Sequence, residues 1–294
     1  YLFYFSGIVD IQEVIKTLKE TRLWIFFFVF FIGICNVLIT TKRWSLFLPE
    51  NIKYSRLVSL YFIGYFFNTF LPGRIGGDIV KTFYLYRDTG KGGISIASVF
   101  LDRYMGLSAI IGISLIAFIG SYSNFKDTDI VWFIPVVCSI YLVASFIFWK
   151  INWGKIKGIN ALYAHISEYK KKKRIIYNGL ILSFIIQVFC IIEVYLLSIA
   201  IGLKVPIIYF LIFVPIINAI STIPITIAGL GIREVGFATL FSMFFIKLGV
   251  TSNQAVSLSL LTFTAMVLIN LIGGIEYLRI GKLPEKKVSK LSDF

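Results

Sequence analysis

The sequence predicts an all-α polytopic membrane protein: a helix bundle with two broken or re-entrant helical hairpins arranged as an inverted repeat. Three observations predict it. First, 58% of the 294 residues are hydrophobic and only 15% are charged, with a mean hydropathy of +0.86; a soluble chain would carry about 25% charged residues. Second, two long uncharged runs each stop at a proline and glycines followed by charged residues, in FFNTFLPGRIGGDIVK at 66–81 and in IPITIAGLGIRE at 223–234. Third, lysine and arginine crowd alternate connections between the apolar runs, as the positive-inside rule requires. One membrane domain, residues 1–294, accounts for the whole chain.

Residues 1–9, YLFYFSGIV, read as the tail of a membrane helix whose start is missing. In DIQEVIKTLKETR, residues 10–22, Ile11, Val14, Ile15 and Leu18 recur at helical spacing with charges between them, which predicts a short amphipathic helix on the membrane surface. Leu23 to Thr41 is uncharged for 19 residues, enough to span a core of about 30 Å at about 1.5 Å per residue. Lys42, Arg43 and Trp44 close it as two bases and an interfacial aromatic.

Leu57 to Leu71 is the next uncharged run, followed by Pro72, Gly73, Arg74, Gly76, Gly77 and Asp78. Proline removes a backbone donor and glycine frees the dihedrals, so the helix breaks there. Ile79 to Tyr86 is apolar apart from Lys81 and too short to cross. A polar turn around Arg87, Asp88 and Lys91 leads to an apolar run containing Asp102 and Arg103 and ending near Phe125. After a short acidic loop, Ile130 to Trp149 spans again. The basic loop 150–174 holds eight bases and one acid, Glu168. Ile175 to Leu203 contains Gln187 and Glu193, and Val205 to Ile232 carries the second break. Val235 to Ile246 is about 18 Å of helix and covers little more than half a membrane. Leu248 to Ile275 spans, and 276–294 is a basic tail.

Base counts orient these pieces. The loop 150–174, the tail 276–294 and the connection 42–56 fall on the cytoplasmic side, and 126–129 and 249–253 on the outer side. Leu57 to Tyr86 then leaves and returns on the same face, as a re-entrant hairpin does. The second broken segment enters from the opposite face. Interrupted segments in corresponding places of two halves point to a transporter binding site; the plainer reading is that their glycines only let helices pack closely.

The net charge of +14 is not read as a nucleic-acid signature, because the bases lie mainly between apolar runs, where anionic lipid accounts for them. Cys35, Cys138 and Cys190 all sit in apolar runs and His165 is the one histidine, so neither a disulfide set nor a metal site is expected. No Walker loop, serine elbow or zinc-ligand spacing is present, so no catalytic residue and no cofactor is expected. What the breaks offer instead is anion binding. A helix restarting after a break points free N–H groups and a positive dipole end into the gap. Arg74 and Lys81 add charge there, and Arg74, Arg103 and Arg233 are the natural partners of Asp78 and Glu234. Asp102 and Glu193 are candidates to line the same cavity, the alternative for Glu193, a lone acid in an apolar helix, being a hydrogen bond to a neighbour. The competing reading is a set of static ion pairs stitching the hairpins to the bundle.

Three motifs in order carry a resemblance. FNTFLPGRIGGD, LDRYMGL at 101–107 and IPITIAGLGIRE resemble the flippase-like membrane domain of lysylphosphatidylglycerol synthetases and its stand-alone relatives. The family pattern falls here on Asn68, Pro72, Gly73, Gly76, Gly77, Asp78 and Lys81, then Asp102 and Arg103, then Gly229, Gly231, Arg233 and Glu234. Thr226 stands where the family often has serine and Lys81 where arginine is common. In the synthetases a soluble aminoacyl-transferase domain follows; this sequence ends at Phe294, so the resemblance implies the lipid-translocating part without lysyl transfer.

These readings lead to one expectation: a transporter, in the cell membrane with its C-terminus cytoplasmic, that moves an anionic phospholipid or polyprenyl-phosphate-linked lipid between leaflets. The named substrate-binding residues are Asn68, Gly73, Arg74, Gly76, Gly77, Asp78, Lys81, Asp102, Arg103, Gly229, Gly231, Arg233 and Glu234. The alternative is a membrane enzyme or accessory subunit partnering a glycosyltransferase or synthase in envelope lipid or glycan synthesis, with Asp78 and Glu234 as acid–base groups. A structural membrane subunit is the third reading, and a homo-oligomer stays open.

Overall fold

The structure is a computed structural model; it describes residues 10–49, 52–71, 75–125, 130–150, 160–220, 233, 236–237 and 250–280. The described chain is all helical. Four helices, Leu23–Ser45, Gly92–Gly120, Lys173–Ala200 and Ser252–Ile280, are long and apolar enough to cross a membrane.

The amphipathic helix predicted near the start is α1, Ile11–Lys19. Asp10 caps it by accepting from the Gln12 amide at 2.8 Å. The Asp10 amide donates to Asn253 at 2.9 Å, and the Asn253 amide group donates to the Glu13 carboxylate. This ties α1 to the start of α11, Ser252–Ile280. Between them, α2, Leu23–Ser45, lies antiparallel to α9, Lys173–Ala200: the Arg22 amide donates to the Ala200 carbonyl at one end, and Arg43 reaches Ser183 further along.

The first break is present as a helical hairpin. α3, Tyr54–Phe70, and α4, Gly76–Thr89, run back to back. Arg56 grips Asp88 with two hydrogen bonds of 2.7 and 3.1 Å at the open end. Nearer the turn, the Gly77 amide donates to Asn68 Oδ1 at 2.8 Å. There the helices touch backbone to backbone: a Cβ on Gly77 would overlap the Gly64 carbonyl oxygen. α4 ends at Gly90, whose φ of +68° suits glycine. α4 is longer than the short apolar stretch 79–86 implied, because Gly76 and Gly77 are already helical and the polar Arg87–Thr89 continues it.

α5, Gly92–Gly120, runs parallel to α9, with Met105 at Gly179 and Gly112 at Phe184. The short α6, Tyr122–Phe125, precedes α7, Ile130–Lys150, which docks on α5 through the Trp149 indole donating to Tyr104 at 2.7 Å. The basic stretch 150–174 is read as a loop in the sequence, yet it contains α8, Asn160–Lys171. Lys170 staples α8 to the Trp149 carbonyl at 2.8 Å, and Tyr169 packs edge-on against Phe47. α10, Ile207–Ile220, fills the apolar core formed with α5 and α9 around Ile113, Leu197 and Phe213. α11 packs antiparallel along α3: Gly273 lies against the Phe62 carbonyl, Asn270 donates to Thr69 at 2.8 Å, and Arg279 reaches Ser59. α11 continues to Ile280, so the first residues of the basic tail are helical.

These pairings gather Tyr54, Thr89, Gly92, Lys173 and Ile280 at one end of the bundle, the end that carries Lys53, Arg56, Lys91 and Arg279. Leu23, Ala200 and Ser252 lie at the other. A second apolar core, with Leu60, Ile63, Tyr84, Leu85 and Val99, surrounds the hairpin.

Candidate functional site

A charged cluster sits where α2, α3, α4, α5 and α9 meet. Asp102 on α5 is fully buried. It accepts from Arg43 Nε and from the Tyr61 hydroxyl, each at 2.8 Å. Arg43 also donates from Nη1 to Ser183 at 3.0 Å. Lys81, 1% exposed, lies between the two carboxylates, 3.6 Å from Asp78 and 3.8 Å from Asp102. Its ammonium faces the rings of Tyr61 and Trp44, 4.1 and 4.6 Å from their centroids. Trp44 is fixed in turn by donating from its indole to Ser98 at 3.1 Å. Arg103 grips Asp78 through two hydrogen bonds of 2.7 and 2.9 Å.

Local sequence explains why these groups converge. Gly64 and Gly77 let α3 and α4 approach until Tyr61 and Lys81 share one face of the hairpin. Successive residues of α5 project in different directions, so Asp102 points into the bundle and Arg103 toward its margin. The Arg103 side chain is 40% exposed and that of Asp78 17%. The cluster is thus closed around Asp102 and open at Arg103. Asp102 and Ser183 are each ten residues from the starts of α5 and α9, about 15 Å of helix. That is close to halfway across a core of about 30 Å.

The structure joins four of the predicted residues, Asp78, Lys81, Asp102 and Arg103, in one cluster. Asn68, Gly76 and Gly77 shape the hairpin turn beside it: Asn68 receives the Gly77 amide, and Gly76 lies against Leu71 too closely for a Cβ. Gly73, Arg74, Gly229, Gly231 and Glu234 lie outside the described residues. Arg233 is described and buried, with its guanidinium 5.1 Å from the Phe263 ring centroid on α11. The hairpin contacts the same helix at Asn270, seven residues or about 10 Å further along.

Glu193 differs from the expectation. It accepts from Asn36 at 3.4 Å, beside Cys190, and the described contacts do not link it to the cluster. Asn36 and Arg43 are seven residues apart on α2, so the two polar groups occupy different depths. The sequence reading missed Arg43, Trp44, Tyr61 and Ser183. Arg43 follows an uncharged run and resembles an interfacial anchor, but Trp44, Phe47 and Leu48 after it are buried, so α2 ends inside the protein. That continuing apolar stretch, WSLFL, was the available signal.

A shallow apolar groove of about 530 Å³ lies on the outer side of α7, lined by Leu142, Val143, Phe146 and Trp149. It holds none of the charged groups.

Residues 1–274 match the family model described as the lysylphosphatidylglycerol synthase TM region. The UPF0104 membrane protein PH1989 of Pyrococcus horikoshii is 25% identical over 323 aligned positions, which cover 96% of this chain and 94% of that protein. No solved structure matches the chain.

Proposed function

We propose that this chain, which belongs to the lysylphosphatidylglycerol synthase transmembrane-region family, moves an anionic phospholipid or a polyprenyl-phosphate-linked lipid between the leaflets of the cell membrane. The observation that carries this reading is the charge of the cluster. Among the described residues, Arg43, Lys81 and Arg103 face only Asp78 and Asp102, one positive charge in excess at mid-bundle depth. Ionisable groups at that depth are expensive and mark substrate paths. An excess cation in a low-dielectric site attracts an anion far more strongly than it would in water. A lipid phosphate supplies that anion while its acyl chains remain in the bilayer.

The hairpin supports the same reading. α3 ends near the level of Asn270, which lies well inside α11. A hairpin that enters and returns on the basic, cytoplasmic side brings a headgroup from that leaflet to the cluster. Arg103, at the open edge, makes the first contact. Movement of α3 and α4 against α5 separates Asp78 from Arg103 and exposes the bound headgroup toward the other side.

The test is leaflet exchange of a labelled anionic phospholipid in vesicles holding the purified protein. The wild type accelerates exchange, and Arg103→Ala, still inserted and folded, does not. Lys172→Ala, on the exposed basic surface beyond α8, keeps the wild-type rate. Exchange by Arg103→Ala at the wild-type rate would remove the cluster from the transport path.

A further inference from the structure

Resting on the reading above, we propose that the headgroup taken by this cluster is doubly charged, a phosphomonoester or a diphosphate, and that Asp78 occupies its place until it arrives. The two carboxylates of the cluster are unequal. Asp102 is fully buried and held by Arg43 and Tyr61 at 2.8 Å each. Asp78 stands in the first turn of α4 beside the hairpin turn, retains some exposure, and has Arg103 as its hydrogen-bonded partner, with Lys81 at 3.6 Å. A carboxylate on a guanidinium fork presents two oxygens in the arrangement that a phosphate presents. Asp78 therefore fills the position that a phosphate would take on Arg103, and it is the carboxylate of the cluster with room to turn outward.

Charge then selects the ligand. With Asp78 turned away, Arg43, Lys81 and Arg103 face, among the described residues, Asp102 alone, two positive charges in excess. The other groups turned inward, Tyr61, Trp44 and Ser183, are neutral hydrogen-bonding side chains. A phosphodiester brings one charge, the same as the carboxylate it displaces, and gains nothing from the exchange. A phosphomonoester carries about −1.5 to −2 at neutral pH and matches the opened site.

The experiment measures binding to the purified protein in neutral detergent. The probes are dihexanoyl phosphatidic acid, dihexanoyl phosphatidylglycerol and glycerol 3-phosphate, each with the wild type and with Asp78→Asn. The wild type binds the phosphatidic acid more tightly than the phosphatidylglycerol by about tenfold or more, equal to ~1.4 kcal/mol. Glycerol 3-phosphate, which has the charge without the chains, binds at least about tenfold more weakly than the phosphatidic acid. Asp78→Asn tightens both lipids, because the internal competitor is gone, and preserves their ratio. Equal wild-type affinities for the two lipids overturn the charge assignment and leave a lipid site standing. Unchanged or weaker binding by Asp78→Asn overturns the role given to Asp78. Glycerol 3-phosphate binding as tightly as the phosphatidic acid overturns the lipid source. No binding of either lipid to either protein removes the transport-site reading itself. The wild-type ratio is decisive even where the variant fails to fold.

Discussion

Replacing Arg43 by alanine tests whether the cluster is held together by its innermost pair. The change removes the 2.8 Å hydrogen bond to Asp102 and the 3.0 Å hydrogen bond to Ser183. Asp102, with no exposed surface, keeps the Tyr61 hydroxyl and Lys81 at 3.8 Å. Breaking a buried pair by removing one partner costs about 3–5 kcal/mol, because the other charge stays buried. Lys81 can close on Asp102, which places the loss near the low end, about 3 kcal/mol. The double variant Arg43→Gln with Asp102→Asn leaves a neutral hydrogen-bonded pair and recovers more than half of that loss. Reversible unfolding in mixed micelles, followed by the reactivity of the buried Cys138 thiol, reports both values. Arg43→Ala with wild-type stability, or a double variant no better than the single one, would show that the Arg43–Asp102 pair does not hold the cluster together.

Gly77→Ala forces a methyl group into the Gly64 carbonyl and the Asn68 side chain, so it destabilises by about 1–3 kcal/mol in the same unfolding titration; Gly90→Ala meets no neighbouring atom and costs only the left-handed backbone, about 1–2 kcal/mol. Asp78→Asn slows leaflet exchange even though it binds lipid more tightly, because no internal carboxylate remains to release the headgroup; exchange at or above the wild-type rate contradicts this. Lys172→Cys labels with impermeant reagent only from the cytoplasmic side and Thr251→Cys only from outside, and the reverse pattern inverts the orientation. At α8, the hydrogen bond from Lys172 and then its charge hold Glu168 below the ordinary carboxylate range. A lowered value stabilises only above the unfolded carboxylate range, and that contribution disappears as pH falls through the lowered value. Both side chains are largely exposed, so Glu168→Gln leaves thermal melting at neutral pH unchanged.

The bundle was legible because the bilayer imposes simple rules on sequence: long apolar runs became α2, α5, α9 and α11, and α3 ends at Phe70 and α4 begins at Gly76 on either side of the Pro-Gly interruption, which itself lies outside the described residues. That Asp78 needs a cation was legible because a carboxylate in an apolar run is costly unless paired, but the sequence left Arg74, Arg103 and Arg233 open as partners and only packing singled out Arg103. Arg43 was hidden, since a base after a span looks the same whether the helix ends in water or inside protein. Tyr61 and Ser183 gave no signal, as hydroxyls are common in membrane helices and only packing decides which one meets a carboxylate. For Glu193 the sequence left two readings, cavity lining or a hydrogen bond to a neighbour, because a lone acid in an apolar helix signals a polar partner but not which one; the partner is Asn36. The helix within the basic loop escaped because its aromatic side, Tyr163 and Tyr169, is masked by flanking lysines.

The central claim, that this cluster receives a lipid phosphate, is tested most directly by an experimental structure of the protein in nanodiscs containing phosphatidic acid. Headgroup density is expected within hydrogen-bonding distance of the Arg103 guanidinium and near Lys81, with the Asp78 carboxylate turned away and Asp102 still on Arg43. An intact Asp78–Arg103 pair, with lipid headgroups only on the outer surface of the bundle, would contradict it.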